Sequence, residues 1–286
     1  MKLMRYLLLA FVVMSMTSCA STAINLFNKK IKPVEGMSEP ISHDIWDDLL
    51  ERHVQADGNM DYNALSKERD KFDQYITLLE ANHPNPMHWS KDESIAYWIN
   101  AYNAFTVQQV LDHYPIGSIK DIKGGITFIS SIWDQKFINI EGREYDLNNI
   151  EQGILRKYYK EPRIHFAVNC ASISCPPLAN FAFTGDELEE QLDLMTRMFL
   201  ADTSKNIITP DRLELSKIFN WYKGDFTDGQ NLQEYINKYT SVNVDRKAKI
   251  KFLPYDWGLN DSNNIESTTN KEEKVLPDVS LEDDTK

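Results

Sequence analysis

The longest apolar pattern with helical spacing in this chain lies at residues 95–113. Ser90 precedes it and Glu93 follows three residues later, an arrangement that predicts a capping box at the start of a helix. The stretch is apolar on nearly all sides, which indicates a helix buried in the centre of a domain. Asn100 and Asn103 are three residues apart and share one of its faces. Because a buried amide is costly unless it is bonded, we expect both side chains to hold loop backbone.

Shorter patterns surround this central helix. Helical spacing recurs over residues 45–53, 67–81, 146–159, 185–202, 216–222 and 232–239. Strand patterns predict one hairpin around Glu141 and Gly142, a second around Pro210 and Asp211, and a last strand at 249–254. The mixture predicts an α+β fold: a single domain whose buried central helix packs on a small mixed or antiparallel sheet with hairpins.

Residues 163–178, which read RIHFAVNCASISCPPL, combine an apolar run with a turn-rich exit. The apolar half predicts a buried strand that carries His165. The second half contains Asn169, Cys170 and Cys175 and closes on two prolines. We expect the chemistry of the protein to be found here.

The N-terminus has the pattern of a bacterial lipoprotein. Lys2 and Arg5 precede a short apolar core, and residues 16–20 (MTSCA) resemble a lipobox, in which the chain is cut before Cys19 and the thiol is lipidated. The resemblance implies a diacylated thiol and an acylated amine, which together make a stable membrane anchor. An ordinary secretory signal or a short anchor is the alternative. In a Gram-negative host, we expect an outer-membrane anchor facing the periplasm.

These features divide the chain into four parts: a signal peptide at 1–18, a tether at 19–40, the α+β domain at 41–260 and a disordered acidic tail at 261–286. The formal net charge of −12 makes nucleic acid a poor partner, because such binding needs a basic surface. The expected partners are the membrane, through Cys19, and an unknown peptide, cell-wall material or protein. No cofactor is predicted.

Four stretches resemble the domain-of-unknown-function family 547: AYWINAYNAFTVQQVL at 96–111, RIHFAVNCASISCPPL at 163–178, LSKIFNWYKGDF at 215–226 and FLPYDWGLN at 252–260. The resemblance spans roughly residues 90–260 and implies no established activity. Ala171 stands where the family often has glycine, a residue that tolerates backbone conformations unfavourable for others. The family's second cysteine is less general than its first, which favours Cys170 as the more essential thiol.

One hypothesis for the central motif is a thiol nucleophile. Cys170 would attack a carbonyl carbon, His165 would act as its base, and Asn103 or another asparagine would orient the imidazole. Cys175 is a second candidate thiol. On an extended strand His165 and Cys170 would lie about 16 Å apart on opposite faces, so this hypothesis requires the chain to turn after residue 168.

The alternative is a structural role for the cysteines. In an exported protein Cys170 and Cys175 can close a disulfide that stiffens a loop, or both can be inert core thiols. A zinc site is disfavoured because His165 and the two cysteines give three ligands at unusual spacing, and no metal site is predicted. The sequence therefore supports two functions: a cysteine-dependent hydrolase or acyl transferase acting on peptide or cell-wall material, and a non-catalytic binding or scaffold module.

Overall fold

The structure, a computed structural model, describes residues 30–122 and 131–264. The predicted signal peptide, the lipidation site at Cys19 and residues 265–286 of the predicted tail lie outside these ranges. The described residues form a single mixed α+β domain, as predicted. None of their helices is both long and apolar enough to cross a bilayer.

The central helix, α4, runs over Lys91–His113 as predicted. Its capping box is present: the Glu93 N–H donates to Ser90 Oγ at 3.1 Å, and the Ser90 N–H donates to the Glu93 carboxylate at 2.7 Å. The helix is buried on nearly all sides. Most of its neighbours are helices, and it reaches the first hairpin through Trp98, whose ring lies 5.6 Å from that of Tyr145. The sheets therefore flank the helical core more than they support it.

The remaining elements are short. The other α-helices are α1 (Asp44–His53), α2 (Tyr62–Ser66), α3 (Arg69–Glu80), α5 (Leu188–Ala201), α6 (Ile218–Trp221), α7 (Lys223–Phe226) and α8 (Leu232–Ile236). The strands are β1 (Ile138–Ile140), β2 (Arg143–Tyr145), β3 (Ile207–Ile208), β4 (Arg212–Leu215) and β5 (Lys249–Phe252). Strands β1 and β2 pair antiparallel. In the second sheet, of order β3-β4-β5, β3 pairs antiparallel and β5 parallel to β4, which makes it the mixed sheet that was predicted.

The predicted strand at His165 is wrong. Residues Pro162–Phe166 form a 3-10 helix, which follows a π-helix at Asn149–Tyr159. Pro162 occupies the first helical turn, where its missing N–H costs nothing, and the Glu161 side chain accepts the Arg163 N–H as an N-cap. A short apolar run does not distinguish a buried strand from a buried helical turn by its spacing. The turn removes the extended geometry that would have kept His165 away from the cysteines.

The packed part of the chain extends beyond both predicted domain boundaries. The Ile31 N–H donates to Gly153 O at 3.0 Å, and the Trp89 indole donates to Ser38 O at 2.9 Å, so residues of the predicted tether lie against the domain. At the other end, Asp261 is buried and accepts a hydrogen bond from the Tyr114 hydroxyl at 2.8 Å. The domain therefore includes part of the tether segment and the first residues of the predicted tail.

Candidate active site

A cleft of about 280 Å³ lies where the four stretches that resemble family 547 come together. The stretch at 96–111 contributes Tyr102, and the one at 163–178 contributes His165 and both cysteines. The stretches at 215–226 and 252–260 supply aromatic side chains. The lining residues are Tyr102, Ser131, Trp133, Asn148, Glu151, His165, Val168, Cys170, Cys175, Pro176, Ile218, Trp221, Tyr222, Tyr255 and Trp257.

Residues 167–177, here called the cysteine loop, are held by two buried asparagines. Asn103 on α4 donates to Ala167 O at 3.0 Å and accepts the Asn169 N–H at 2.8 Å. Asn169 in turn donates to Pro176 O and accepts the Ala171 N–H, both at 2.8 Å. Amide side chains offer a donor and an acceptor together, so each can satisfy two backbone groups of a loop that has no regular structure. The predicted backbone role of Asn103 is confirmed.

The loop turns sharply directly after Cys170. Ala171 has φ of +57°, in the left-handed region, at the position where glycine is frequent in the family. For a residue with a Cβ this conformation costs about 1–2 kcal/mol. Backbone contacts to residues 258–260 hold the turn: Ile173 N–H donates to Gly258 O at 2.8 Å, and Asn260 N–H donates to Ala171 O at 3.4 Å. Alanine therefore adopts the conformation that glycine would adopt with less strain.

The two cysteines of the loop are free thiols in close contact. Their Sγ atoms lie 2.9 Å apart, and the Cys170 N–H donates to Cys175 Sγ at 3.0 Å. Cys170 is partly exposed, whereas Cys175 is buried. A Cys170–Cys175 disulfide therefore stays a prediction. The two sulfurs are neighbours, and oxidation would be enough to join them.

The environment of the sulfurs favours Cys170 as the thiolate. The hydrogen bond from Cys175, together with those from the hydroxyls of Ser172 and Tyr255, lowers the pKa of Cys170 against the opposing effect of burial. These hydroxyl oxygens lie 3.2 and 3.4 Å from Cys170 Sγ. Burial and the neighbouring sulfur raise the pKa of Cys175 well above its ordinary value. Thiolates are the reactive form of cysteine, so Cys170 is the better nucleophile of the two.

His165 lies in the same cleft with one ring nitrogen bonded and the other free. Its Nε2 lies 2.8 Å from the carboxylate of Asp225. Because a carboxylate accepts, neutral His165 carries its proton on Nε2 and has a lone pair on Nδ1. Nδ1 is buried and has no hydrogen-bond partner in the described residues. This is the tautomer that a general base needs.

Packing fixes the plane of the imidazole. The ring of Tyr222 stacks on it with centroids 3.8 Å apart and an angle of 18° between the planes, and Phe226 meets it edge-on at 5.5 Å. Burial raises the pKa of Asp225, but hydrogen bonds from His165 and Arg156 outweigh this and bring that pKa to about 2. Asp225 is therefore ionised at neutral pH and stabilises a protonated imidazole.

Asp225, not an asparagine, orients His165. Asn103, the predicted orienting residue, uses both ends of its amide on the backbone of the cysteine loop. Asp225 was missed because it lies 60 residues from His165 in an apparently amphipathic stretch. The only available signal was its position inside LSKIFNWYKGDF, one of the four family-like stretches.

Glu151 is a carboxylate that lines the cleft and that the sequence did not single out. It lies on the π-helix, is 7 % exposed and accepts hydrogen bonds from the hydroxyls of Tyr102 at 3.2 Å and Tyr222 at 2.6 Å. Gln152 donates to it at 3.0 Å. Burial and the Glu151 charge raise the pKa of both phenols, so they remain protonated donors. No lysine or arginine of the described residues forms an ion pair with Glu151.

Four aromatic side chains, Trp133, Trp221, Tyr255 and Trp257, form the rim of the cleft. Trp257 lies at their centre, with its ring 5.6 Å from Trp133, 6.0 Å from Trp221 and 4.6 Å from Tyr255. Trp221 is 44 % exposed, so part of its ring is open to solvent. One face of Trp257 carries the Lys120 ammonium, 3.6 Å from the ring centroid. This aromatic rim offers flat apolar surface next to Cys170.

The comparison with family models agrees with the resemblance. Residues 86–200 match the family described as "Protein of unknown function, DUF547". The match supports assignment to DUF547 and carries no activity with it. The comparisons with curated proteins and with solved structures found no match.

The DUF547 match covers one side of the cleft and stops short of the other. Cys170, His165 and Glu151 lie inside residues 86–200, whereas Asp225 and Tyr255 lie outside them. Both candidate catalytic residues, Cys170 and His165, are therefore part of the matched DUF547 segment. The residues that orient them come from the following sixty residues of the same domain.

Proposed function

We propose that this protein is a cysteine-dependent hydrolase or acyl transferase of the cell envelope, with Cys170 as nucleophile and His165 as base. The observation that carries the proposal is the cleft itself: a partly exposed thiol with a lowered pKa and an imidazole with a free buried nitrogen and an ionised carboxylate partner. A nucleophile, a base and a group that orients the base are the three parts that thiol catalysis requires.

The reaction runs in two balanced steps. First, the Cys170 thiol gives its proton to His165 Nδ1, and the sulfur attacks the carbonyl carbon of an amide or ester. The C–N or C–O bond breaks, the leaving group takes the proton from His165, and a thioester remains on Cys170. Next, water or another acceptor gives a proton to His165 and attacks the thioester, and the C–S bond breaks as the sulfur regains a proton. Asp225 stabilises the imidazolium in both steps.

In this proposal the substrate binds between the two groups. No hydrogen bond joins His165 to either sulfur, while both line the same cleft. Hydrogen bonds of this kind are often long before substrate binds. The hydroxyls of Tyr255 and Ser172 lie 3.0 Å apart, and both are next to Cys170. In this proposal they donate to the oxyanion that forms on the attacked carbonyl group.

An activated ester tests the proposal without knowledge of the natural substrate. With p-nitrophenyl acetate we expect a burst of nitrophenolate and a protein mass increased by one acetyl group, which peptide mapping places on Cys170 rather than Cys175 or Cys19. Cys170→Ser should abolish the burst. His165→Gln should slow acylation and deacylation by about 10²–10⁴-fold, the range for loss of a general base.

Two results would reject the proposal. One is the absence of acetyl on Cys170 in reduced protein with native circular dichroism. The other is an unchanged rate in His165→Gln. Cys175→Ser is the matched control for the thiol, because it removes the other sulfur of the pair and should leave the burst in place.

The second candidate function is a non-catalytic binding or scaffold module whose recognition loop is stiffened by a Cys170–Cys175 disulfide. The 2.9 Å between the two sulfurs favours it, because closure would need little movement of the loop. Iodoacetamide treatment of native protein without reductant separates the two candidates. Two unlabelled cysteines, released only by reductant, support the module, and one rapidly labelled Cys170 supports the enzyme.

We also propose that the protein is exported and anchored by lipid on Cys19, facing the periplasm if the host is Gram-negative. The lipobox-like residues 16–20 support this proposal. Metabolic labelling with an alkyne fatty acid should label the wild type and not Cys19→Ser. Equal labelling of the two, or none of either, would contradict it. An envelope location would supply peptide and cell-wall material as substrates.

A further inference from the structure

Among the described residues that line the cleft, Glu151 is the carboxylate, and neither step of the reaction uses it. Asp225 pairs with both His165 and Arg156, so its charge is compensated. Glu151 is more deeply buried than Asp225 but receives only neutral donors, from two tyrosines and a glutamine. A buried carboxylate is costly unless a cation compensates it. The described residues supply no such cation to Glu151.

The basic side chains near the cleft interact with groups other than Glu151. Lys136 pairs with Asp146, and the Arg156 guanidinium is bonded to Asp225 and Gln152. Lys120 lies on the face of Trp257, at the rim. The Glu151 carboxylate therefore lines the cleft with no cation of the described residues bound to it.

The aromatic rim is compatible with a cationic ligand. Tyr102 and Tyr222 fix the orientation of Glu151, and Trp257 already accepts a cation on one face at 3.6 Å. Aromatic faces attract ammonium groups, and a carboxylate beside them adds a charge-assisted hydrogen bond. These two features recognise an amine and disfavour a carboxylate at the same position.

We propose that the substrate carries an ammonium group that binds Glu151 while its carbonyl group lies at Cys170. The substrate class is a peptide or amino-acid amide with a free amine close to the bond that is attacked. This inference rests on the proposed function for the position of the carbonyl group. The recognition of the amine itself does not depend on the reactivity of Cys170.

A binding experiment in the Cys170→Ser variant separates the two claims, because this variant cannot turn over a substrate. The probes are alanyl-alaninamide, which has a free amine, and N-acetyl-alanyl-alaninamide, which does not. Trp133, Trp221 and Trp257 line the cleft, so binding is followed by tryptophan fluorescence. We expect the free amine to bind at least about tenfold more tightly, as loss of a charge-assisted hydrogen bond in a buried site implies.

Glu151→Gln should remove this preference, and Glu144→Gln should keep it. Glu144 is exposed on β2 and its substitution changes the net charge equally. Equal or tighter binding of the acetylated peptide overturns the inference, as does the absence of binding by either peptide. The comparison of the free and acetylated peptides uses only Cys170→Ser. It therefore tests the inference even if Glu151→Gln does not fold. If p-nitrophenyl acetate does not acetylate Cys170 but the peptide with a free amine still binds more tightly, the proposed enzyme activity is rejected. The proposed amine-binding site at Glu151 is then retained.

Discussion

The cleft has two sides that are held in different ways. The cysteine loop is fixed by hydrogen bonds from buried amides, chiefly those of Asn103 and Asn169. The opposite side, residues 218–226 of α6 and α7, here called the helical wall, is fixed by stacked rings and by the ion pairs of Asp225. Directional bonds define the backbone around Cys170, while packing defines the plane of the His165 ring. Substitutions should therefore have unequal effects on the two sides.

The largest expected effect is on the loop side, in Asn103→Ala. The substitution leaves the Asn169 N–H and Ala167 O buried without partners, and each such group costs about 1–3 kcal/mol. We expect the free energy of unfolding to fall by about 3 kcal/mol in urea denaturation. Gln108→Ala, a partly exposed amide on the same helix, is the control and should cost less than about 0.5 kcal/mol. A loss below about 1 kcal/mol in Asn103→Ala would contradict the contrast.

On the helical wall, Trp221→Ala should cost only about 1–2 kcal/mol. Trp221 is 44 % exposed and packs on Tyr255 at 4.8 Å and Trp257 at 6.0 Å, so its loss removes aromatic contacts but leaves no buried polar group unbonded. Urea denaturation of this variant and of Asn103→Ala gives the two free energies of unfolding for comparison. A cost equal to or greater than that of Asn103→Ala would show that the rim, too, carries much of the stability.

Asp225→Asn tests how much the ion pairs of the helical wall contribute to stability, and how that contribution depends on pH. The pKa of Asp225 is about 2 in the folded protein, below its ordinary value of 3.8, so its ionisation stabilises the fold above about pH 4. That contribution is lost as pH falls from about 4 towards 2. At neutral pH we expect Asp225→Asn to lower the free energy of unfolding by about 1 kcal/mol, after allowance for partial exposure.

The difference between Asp225→Asn and the wild type should shrink in acid. Asp228→Asn is the matched control, because Asp228 is exposed three residues later on the same segment. Thermal unfolding followed between pH 3 and pH 7 measures the difference. A gap that stays constant across this range would show that the Asp225 carboxylate is not coupled to His165 and Arg156.

Cys175→Ala tests whether the hydrogen bond from Cys175 lowers the pKa of Cys170. Because the hydrogen bond from Cys175 is the main cause of the lowered pKa of Cys170, its removal should move the midpoint of Cys170 alkylation to higher pH. Ser172→Ala should move it in the same direction by less. The measurement is the rate of iodoacetamide labelling of Cys170 against pH, resolved by peptide mapping. A midpoint that does not move, or that falls, would assign the acidity to another group.

The smallest effect is expected for Ala171→Gly. Glycine relieves the left-handed strain at φ of +57° but loses a buried methyl group and adds freedom to the unfolded chain. These contributions nearly cancel, so the free energy of unfolding should change by less than about 1 kcal/mol. Ala171→Val should cost more, because a β-branched residue is still less compatible with this conformation. Equal stabilities of the valine and glycine variants in urea would exclude strain at this position.

On the side of the cleft that buried amides hold, the sequence predicted the main contact correctly. An asparagine inside an apolar helix is conspicuous, and Asn103 was expected to hold loop backbone, as it does. The hairpins, the central helix and its capping box follow from local patterns, and the structure contains them. These features are encoded by residues close together in the chain.

The features that sequence patterns did not reveal depend on distant residues. Asp225 and Glu151 look like ordinary charges on helices, and only the fold brings one to His165 and the other to Tyr102 and Tyr222. The expected strand at His165 failed because a buried helical turn and a buried strand share the same short apolar run. Tertiary packing, not local preference, decided these points.

The bonds of Asn103 also have a consequence for motion. Although Asn169 lies in a loop, its N–H donates to a side chain from the middle of α4, a helix that is buried on nearly all sides. Deuterium from solvent reaches such an amide only when the loop and the helix separate. Its exchange should therefore be as slow as that of the α4 amides, and the neighbouring Cys170 sulfur should keep its position over the same period.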